Sequence, residues 1–145
     1  MMLPHIRCNH STEVLHPLSF YILSRGDNSG KPSFKPWVNS YCVICNSKEM
    51  VDFYFWLTYG LWKAGKFKIY HRGSVIAFIN VQDVRNIIKE VAPVIHEHWQ
   101  KYQQIIAALN HLEQKKSSMA QLIIATENLQ QHLIRNYFIQ KIKGV

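Results

Sequence analysis

The sequence contains no proline and no glycine between Pro93 and Gly144, and this constrains the fold more than any other feature. Glycine and proline are the residues that most often end helices and form turns, so a stretch of this length without either is predicted to be helical. Before Pro93 the chain is rich in aromatic and turn-forming residues. We therefore predict an α+β module at residues 1–92 and a helical arm at residues 93–145, which packs on the module or on a partner, within a single compact domain overall.

The arm begins with five apolar residues at alternating spacings of four and three, the heptad spacing of a helix that packs along one seam. They are Ile95, Trp99, Tyr102, Ile106 and Leu109. Glu113 and Lys116 interrupt the seam, and Ser118 and Gln121 then have the spacing of a capping box. Two arrangements stay open: a helical hairpin that turns at residues 115–118, or a single long helix of about 45 residues whose seam shifts there. The hairpin is favoured, because the cap explains how a second helix would start.

The first part of the module is predicted to contain two strands and a helix. Residues 17–23 (PLSFYIL) and 39–45 (NSYCVIC) are rich in aromatic and β-branched residues and are bounded by turn-forming residues, which is typical of strands. The run from Lys48 carries an apolar stripe with helical spacing, and Gly65 is a suitable stop. The stripe consists of Val51, Phe55, Tyr59 and Trp62, widened by Tyr54, Leu57 and Leu61. The predicted fold class is α+β, a small mixed sheet with an aromatic helix, followed by the C-terminal helical arm.

Residues 67–84 (FKIYHRGSVIAFINVQDV) alternate toward strand character around a turn at residues 72–74. The candidates for burial in this segment are Val75, Ile76, Phe78, Ile79 and Val81. Residues 82–88 are predicted to form a short helix.

The chain carries 17 Lys and Arg against 9 Asp and Glu, a net charge of +8 with neutral histidines. An excess of this size favours polyanionic partners such as nucleic acid or an acidic protein. Basic residues occur in the loop SRGDNSGKPSFKP (residues 24–36) and in the connector KAGKFKIYHR (residues 63–72). In the connector, Phe67 and Tyr70, with Trp62 just before it, lie among the cations as on nucleic-acid-binding surfaces. The candidate nucleic-acid contacts are Arg25, Lys31, Lys35, Lys63, Lys66, Lys68 and Arg72. A solvated basic turn whose rings face the core would have the same sequence.

The loop at residues 24–36 does not have the pattern of a phosphate-binding P-loop. Gly26 and Gly30 are one residue too close together, and Pro32 stands where the magnesium-binding hydroxyl is required. Pro32 also biases Lys31 away from helical angles, so the helix start that such a site requires is disfavoured. A glycine-bearing turn between two strands is predicted instead.

The sequence predicts neither a metal site, nor a cofactor, nor a catalytic centre. Cys42 and Cys45 form a CxxC pair, but they lie in a predicted strand and have no second ligand pair at zinc spacing. His96 and His98 are two residues apart on a predicted helix, so their rings point apart. No nucleophile motif is present, and no segment has the pattern of a signal peptide or a membrane span. We expect a non-catalytic cytoplasmic protein that does not enter a membrane.

Features after residue 39 follow one another in a distinctive order: an aromatic helix (FYFWLTYGLW), a basic connector, the run GSVIAFINVQDVRNI, a proline, and the helical HEHWQKYQQIIAAL. This order resembles one target-recognition half plus spacer helix of a type I restriction–modification specificity subunit. The residues that carry the match are Gly73, Ser74, Ile76, Ile79, Asp83 and Pro93. The stretches RGDNSGKP, PWVNSYCV, FWLTYGLW and GSVIAFI also resemble a small uncharacterised bacterial family. The first resemblance implies a compact α+β module on a helical arm, with DNA as its partner.

Two functions follow as hypotheses. The first is a non-catalytic DNA-binding or DNA-adaptor module, in which the basic residues of the loop and the connector contact phosphates. The alternative is a protein–protein interaction module that uses the C-terminal helices, because the seam from Ile95 to Leu109 presents Trp99 and Tyr102, residue types that are common in interface anchors. In either case the arm would join two copies of the chain or attach it to another protein.

Overall fold

A four-stranded antiparallel sheet with the order β1-β4-β2-β3 forms one layer of the fold. It is seen in a computed structural model that describes residues 2–9 and 16–143. The strands are β1 (His5–Cys8), β2 (Ser19–Leu23), β3 (Pro32–Ser33) and β4 (Ser40–Ile44). The predicted α+β class is confirmed, as are the two predicted strands, although every pairing between the strands is antiparallel and the sheet is therefore not mixed.

Strand β1 was not predicted, because four residues with two polar ends give little strand signal. Tertiary pairing places it: Ile6 lies opposite Val43 of β4, and both side chains are buried. The guanidinium of Arg85 donates to the carbonyl oxygen of Ile6, which links this edge of the sheet to a helix.

Helix α1 (Lys48–Lys63) begins and ends where the sequence predicts. The Oγ of Ser47 accepts a hydrogen bond from the amide of Met50 at 3.2 Å, which caps the first turn. At the other end Gly65 has φ +71°, and the amide of Lys66 donates to the carbonyl of Leu61, as in a Schellman-type helix end.

The buried face of α1 differs from the predicted stripe. The helix buries Phe53, Tyr54, Leu57, Thr58 and Leu61. All of them except Thr58 share one hydrophobic core with the sheet residues Phe20, Ile22 and Val43, which are fully buried. The other predicted members of the stripe, Val51, Phe55, Tyr59 and Trp62, are only half-buried. Each fully buried large side chain contributes about 1.5–3 kcal/mol, so the first set stabilises the fold and the second set remains partly available at the surface.

The strand predicted within residues 67–84 is wrong. Lys68–Tyr70 forms a single 3₁₀ turn, and Phe78 alone makes isolated bridges, to Arg25 and to Arg72. In the part of the chain that the structure describes, no strand pairs with the rest of the segment, and Val75 is 93% exposed. Ile76 and Phe78 are exposed as well, whereas Ile79 is fully buried, as predicted.

Helix α2 (Val81–Glu97) contains the short helix predicted at residues 82–88 but is more than twice as long. The side chain of Asn80 accepts from the amide of Gln82 at 3.0 Å and caps the helix. Pro93, the predicted boundary between the module and the arm, lies inside this helix. The helix buries Val84, Ile87, Ile88 and Ala92 in the same core as α1.

Helix α3 (Trp99–Lys143) is a single helix of 45 residues, so the favoured hairpin is wrong. Ser118 does not cap a new helix, because its Oγ donates to the carbonyl of Gln114 at 3.1 Å, one turn back in the same helix. The chain divides into two compact units, Met1–Tyr102 and Gln103–Val145. The last two residues of the predicted arm, Gly144 and Val145, lie outside the described residues.

Candidate functional site

In the loop at residues 24–36, backbone amides donate hydrogen bonds to backbone carbonyls and so stabilise a turn. The amide of Ser29 donates to the carbonyl of Gly26 at 2.9 Å, and the amide of Lys31 donates to that of Asn28 at 3.0 Å. The amides of Gly26 and Gly30 donate to carbonyls outside the turn. In a phosphate-binding loop such amides point toward a common anion. These hydrogen bonds therefore form the turn that the sequence predicts.

Three contacts fasten this loop to residues 67–77, the segment that follows α1 and contains most of the basic connector. The Oγ of Ser29, which is 1% exposed, lies 2.7 Å from the Nε2 of His71. Gly30 has φ +93° and lies so close to the buried ring of Phe67 that a Cβ would stand 2.3 Å from a ring carbon. The amide of Gly26 donates to the carbonyl of Ala77 at 2.7 Å. These contacts bring the two basic segments of the sequence together on one surface.

Trp62, in the last turn of α1, is the point at which the two segments meet. The Nζ of Lys31 lies 5.2 Å from the centre of its ring, and the Nζ of Lys63 lies 5.3 Å from the same centre. Both distances are within the range of a cation–π interaction. Lys68 lines a shallow cavity of about 170 Å³ beside Trp62, together with Asp27 and Asn28. Two of the seven predicted cations therefore lie against one aromatic ring, and a third lines the cavity beside it.

A row of aromatic rings runs along α1 from this point, and we call it the aromatic row. It consists of Trp62, Tyr59, Trp56, Phe55 and Phe34, each in contact with the next at centroid distances of 4.1–5.8 Å. The four rings of α1 are half-buried, whereas Phe34, which stacks on Phe55 at 4.1 Å, is 61% exposed. The row therefore offers ring surface at one end and positive charge at the other.

The other four predicted cations lie elsewhere. Arg25 and Arg72 flank Phe78 through its backbone bridges, and Arg72 forms an ion pair with Asp83 at 3.1 Å. Arg25 lines a wider cavity of about 420 Å³ between the sheet and the start of α2. Lys35 is exposed and follows Phe34 in the chain, and Lys66 is exposed in the connector. None of these four contacts Trp62 in the interactions that the structure shows.

Three of the five predicted helical interface residues lie in the first unit and pack inside it. The ring centre of Trp99 lies 4.9 Å from that of Phe53, and the Oη of Tyr102 donates to the carbonyl of Trp56 at 2.9 Å. Ile95 packs against the edge of the core. Ile106 and Leu109 belong to the second unit. Trp99 and Tyr102 of the predicted seam thus attach the first turn of α3 to α1.

Three potential nucleophiles, Ser29, Cys42 and Cys45, are buried. Cys42 lies in β4 and Cys45 directly after it, and both side chains are buried. Burial, with a smaller effect of the neighbouring Cys42, raises the pKa of the Cys45 thiol to about 11, which keeps it protonated and unreactive at neutral pH. Ser29 is too buried to meet a substrate. Within residues 2–9 and 16–143, no group of three or more His, Cys, Asp or Glu side chains could hold a metal ion.

A family model, described as a family of unknown function (DUF6943), matches residues 6–136 of the chain. The chain belongs to the DUF6943 family. This confirms the resemblance to a small uncharacterised family and gives no support to the resemblance to a restriction specificity subunit. No curated protein and no solved structure matches the chain. In the described part of this DUF6943 chain, no helix has both the length and the apolar character needed to cross a membrane.

The aromatic row is the feature of this DUF6943 member that sequence reasoning missed. The sequence places Phe55, Tyr59 and Trp62 in the apolar stripe of the helix, with Trp62 also next to the basic connector, and it gives neither Phe34 nor Trp56 a role. The available signal was the excess of apolar residues on α1: a helix with one buried stripe has no room in the core for all of them. An aromatic surplus beside a basic segment was thus a sign of surface rings.

Proposed function

We propose that this DUF6943 member is a non-catalytic module that binds nucleic acid through the aromatic row and the lysines at its end. The observation that carries the proposal is that Lys31 and Lys63, from two different segments, both lie against Trp62. Cations neutralise phosphates, and neighbouring rings stack on bases or pack beside sugars. The net charge of +8 would draw a polyanion to the whole molecule.

The strongest test compares two triple variants with the same change in net charge. The first changes Lys31, Lys63 and Lys68 to Glu at the aromatic row. The second changes Lys48, Lys89 and Lys101 to Glu, exposed lysines at the start of α1, on α2 and at the start of α3. Circular dichroism and urea unfolding would establish that both variants are folded.

Binding would be measured by fluorescence anisotropy with labelled random-sequence 20-mers, single-stranded and duplex, at about 50 and 200 mM salt. We expect micromolar or tighter binding at low salt that weakens steeply with salt. The first triple variant should lose roughly tenfold or more in affinity and the second only about two- to threefold. Equal losses in both variants, or no binding by the folded wild type at 50 mM salt, would contradict the proposal.

A finer form of the proposal is duplex DNA recognition of the restriction specificity-subunit kind. It predicts that the duplex 20-mer binds more tightly than the single strand and that some duplex sequences compete better than others. Tighter binding of the single strand would favour stacking on the aromatic row instead.

A second candidate function is protein interaction through α3. The second unit exposes large apolar side chains along most of its length, and several, such as Met119 and Leu122, are about two-thirds exposed. Exposed apolar patches beyond a few hundred Å² usually mark interaction surfaces. Reversing the charges at the aromatic row should leave this function intact, which separates the two candidates.

A further inference from the structure

The second unit carries an apolar seam that differs from the one predicted near the start of α3. Starting at Ile105, ten residues follow one another at alternating spacings of three and four, which places them on one side of the helix at the a and d positions of a heptad repeat. They are Ile105, Ala108, Leu112, Lys115, Met119, Leu122, Thr126, Leu129, Leu133 and Asn136. The six large apolar members are 49–67% exposed.

The size of this face is close to what a stable interface requires. Two further large apolar residues, Ile123 and Tyr137, lie directly beside the seam and are 60% and 57% exposed. If each of the eight presents roughly 100 Å², the face offers on the order of 800 Å² of apolar surface. A standard interface buries about 800 Å² on each partner, so one partner along residues 105–137 would be sufficient.

A parallel, in-register pair of identical helices would place like charges together. Lys115 of one copy would face Lys115 of the other inside the seam, with Lys116 of both copies at the same level. Like charges brought this close repel each other. The net charge of the segment is already positive, because residues 103–143 contain five Lys and Arg and two Glu. This orientation is therefore disfavoured.

An antiparallel pair removes this conflict and keeps the apolar layers. Lys115 then lies opposite Leu133 of the second copy, where its aliphatic stem covers the leucine and its ammonium group reaches solvent. The other layers are Leu112 with Asn136, Met119 with Leu129, and Leu122 with Thr126, each formed twice by the two-fold symmetry. Ile123 meets its own copy near the axis. The two Lys115 side chains are about 27 Å apart along the pair, from 18 residues at ~1.5 Å each.

We propose that α3 pairs with α3 of a second copy as an antiparallel two-stranded coiled coil in which residues 112–136 of one copy lie along residues 136–112 of the other. This names the partner for the second candidate function and is independent of nucleic-acid binding. Because most helical stability in proteins comes from packing of an apolar face, the pairing would also stabilise the helix of the second unit.

Leu122 and Ile124 provide a matched pair for the test. They are 67% and 58% exposed, lie two residues apart, and point to opposite sides of the helix. Sedimentation equilibrium of the full chain at about 10–200 μM should give the mass of a dimer for the wild type and for Ile124→Glu. Leu122→Glu should be monomeric or at least tenfold weaker in dimerisation. A monomeric wild type would overturn self-association, and protein interaction through α3 would then require a different partner. Equal effects of the two variants, or a trimer or tetramer, would also overturn this pairing.

Disulfide trapping tests the orientation, in a Cys8→Ser background because Cys8 is the exposed cysteine. The double variant Leu112→Cys/Asn136→Cys should form a covalent dimer on a non-reducing gel, since each new cysteine faces the other type in the second copy. The two positions lie about 36 Å apart on one helix, so they cannot join within a chain. Asn136→Cys alone should stay uncrosslinked. Crosslinking by Asn136→Cys alone would show a parallel pair and overturn the proposal.

Discussion

The Nζ of Lys31 lies 5.2 Å from the centre of the Trp62 ring, although the two residues are far apart in the sequence and belong to different elements. The contact holds because the turn that carries Lys31 is fastened to the connector by the Ser29–His71 hydrogen bond of 2.7 Å. A cation–π contact at an exposed site contributes about 0.5–1 kcal/mol. The contact matters mainly because it fixes positions: a lysine from the loop and a lysine from α1 both lie against the Trp62 ring.

If the module binds nucleic acid, Phe34 and Lys31 should contribute to that binding in different ways. Phe34→Ala removes an exposed ring, so we expect roughly a fivefold or greater loss of affinity for single-stranded DNA, with an unchanged dependence on salt. Lys31→Glu should weaken binding to every sequence and lower the slope of log K against log salt by about one or more. Anisotropy titrations at four salt concentrations would measure both. If Phe34→Ala also changed the slope of log K against log salt, its loss of affinity would not come from lost stacking.

Gly30→Ala should destabilise the module more than Gly26→Ala. Both positions have positive φ, at +93° and +85°, so alanine is strained at each by about 1 kcal/mol. At Gly30 the new Cβ would also meet the ring of Phe67, whereas at Gly26 nothing lies within 4 Å. We expect losses of about 2–4 and about 1 kcal/mol in the free energy of unfolding, respectively. Urea unfolding measures both losses, provided that the m value is unchanged. Equal losses in Gly30→Ala and Gly26→Ala would contradict the close packing of Gly30 on Phe67.

Gly60→Ala tests the packing of α3 against α1. In an exposed helix interior this change would stabilise by about 1 kcal/mol, but here the new Cβ would stand 1.8 Å from the Oη of Tyr102. That oxygen would have to leave the carbonyl of Trp56, so we expect a net destabilisation of about 1–2 kcal/mol. In a Tyr102→Phe background, which lacks the oxygen, Gly60→Ala should destabilise less. A double-mutant cycle by urea unfolding measures the coupling, and additive effects would argue against the contact.

The stability of the module should fall at alkaline pH. Burial, with a smaller effect of Cys45, raises the pKa of Tyr54 to about 12, above its ordinary value of 10.0. The unfolded chain therefore releases the proton first, and the stability present below pH 10 is lost as the pH rises toward 12. At pH 11 the loss from this tyrosine is on the order of 1 kcal/mol. Urea unfolding of the wild type and Tyr54→Phe between pH 8 and 11 measures it, and we expect the wild type to lose more. Parallel profiles for the two proteins would contradict this role of Tyr54.

Local signals in the sequence determined several elements of the fold. The strands near residues 17–23 and 39–45, the start of α1 after Ser47 and its end at Gly65 were all predictable. A cap, a glycine stop or a strand bounded by turn residues depends on interactions within a few positions of the chain. The helical character of the C-terminal part was predictable for the same reason, because no residue within it breaks a helix.

Long-range pairing decided the rest. Residues 75–79 have the composition of a strand but find no sheet edge beyond the bridges of Phe78. The Ser118 capping pattern fits the interior of a continuous helix equally well once its hydroxyl bonds one turn back. In the candidate site, composition alone indicated which segments are basic. Only the tertiary structure placed Lys31 and Lys63 on the same ring and left Phe34 exposed, because those outcomes depend on which faces of distant segments meet.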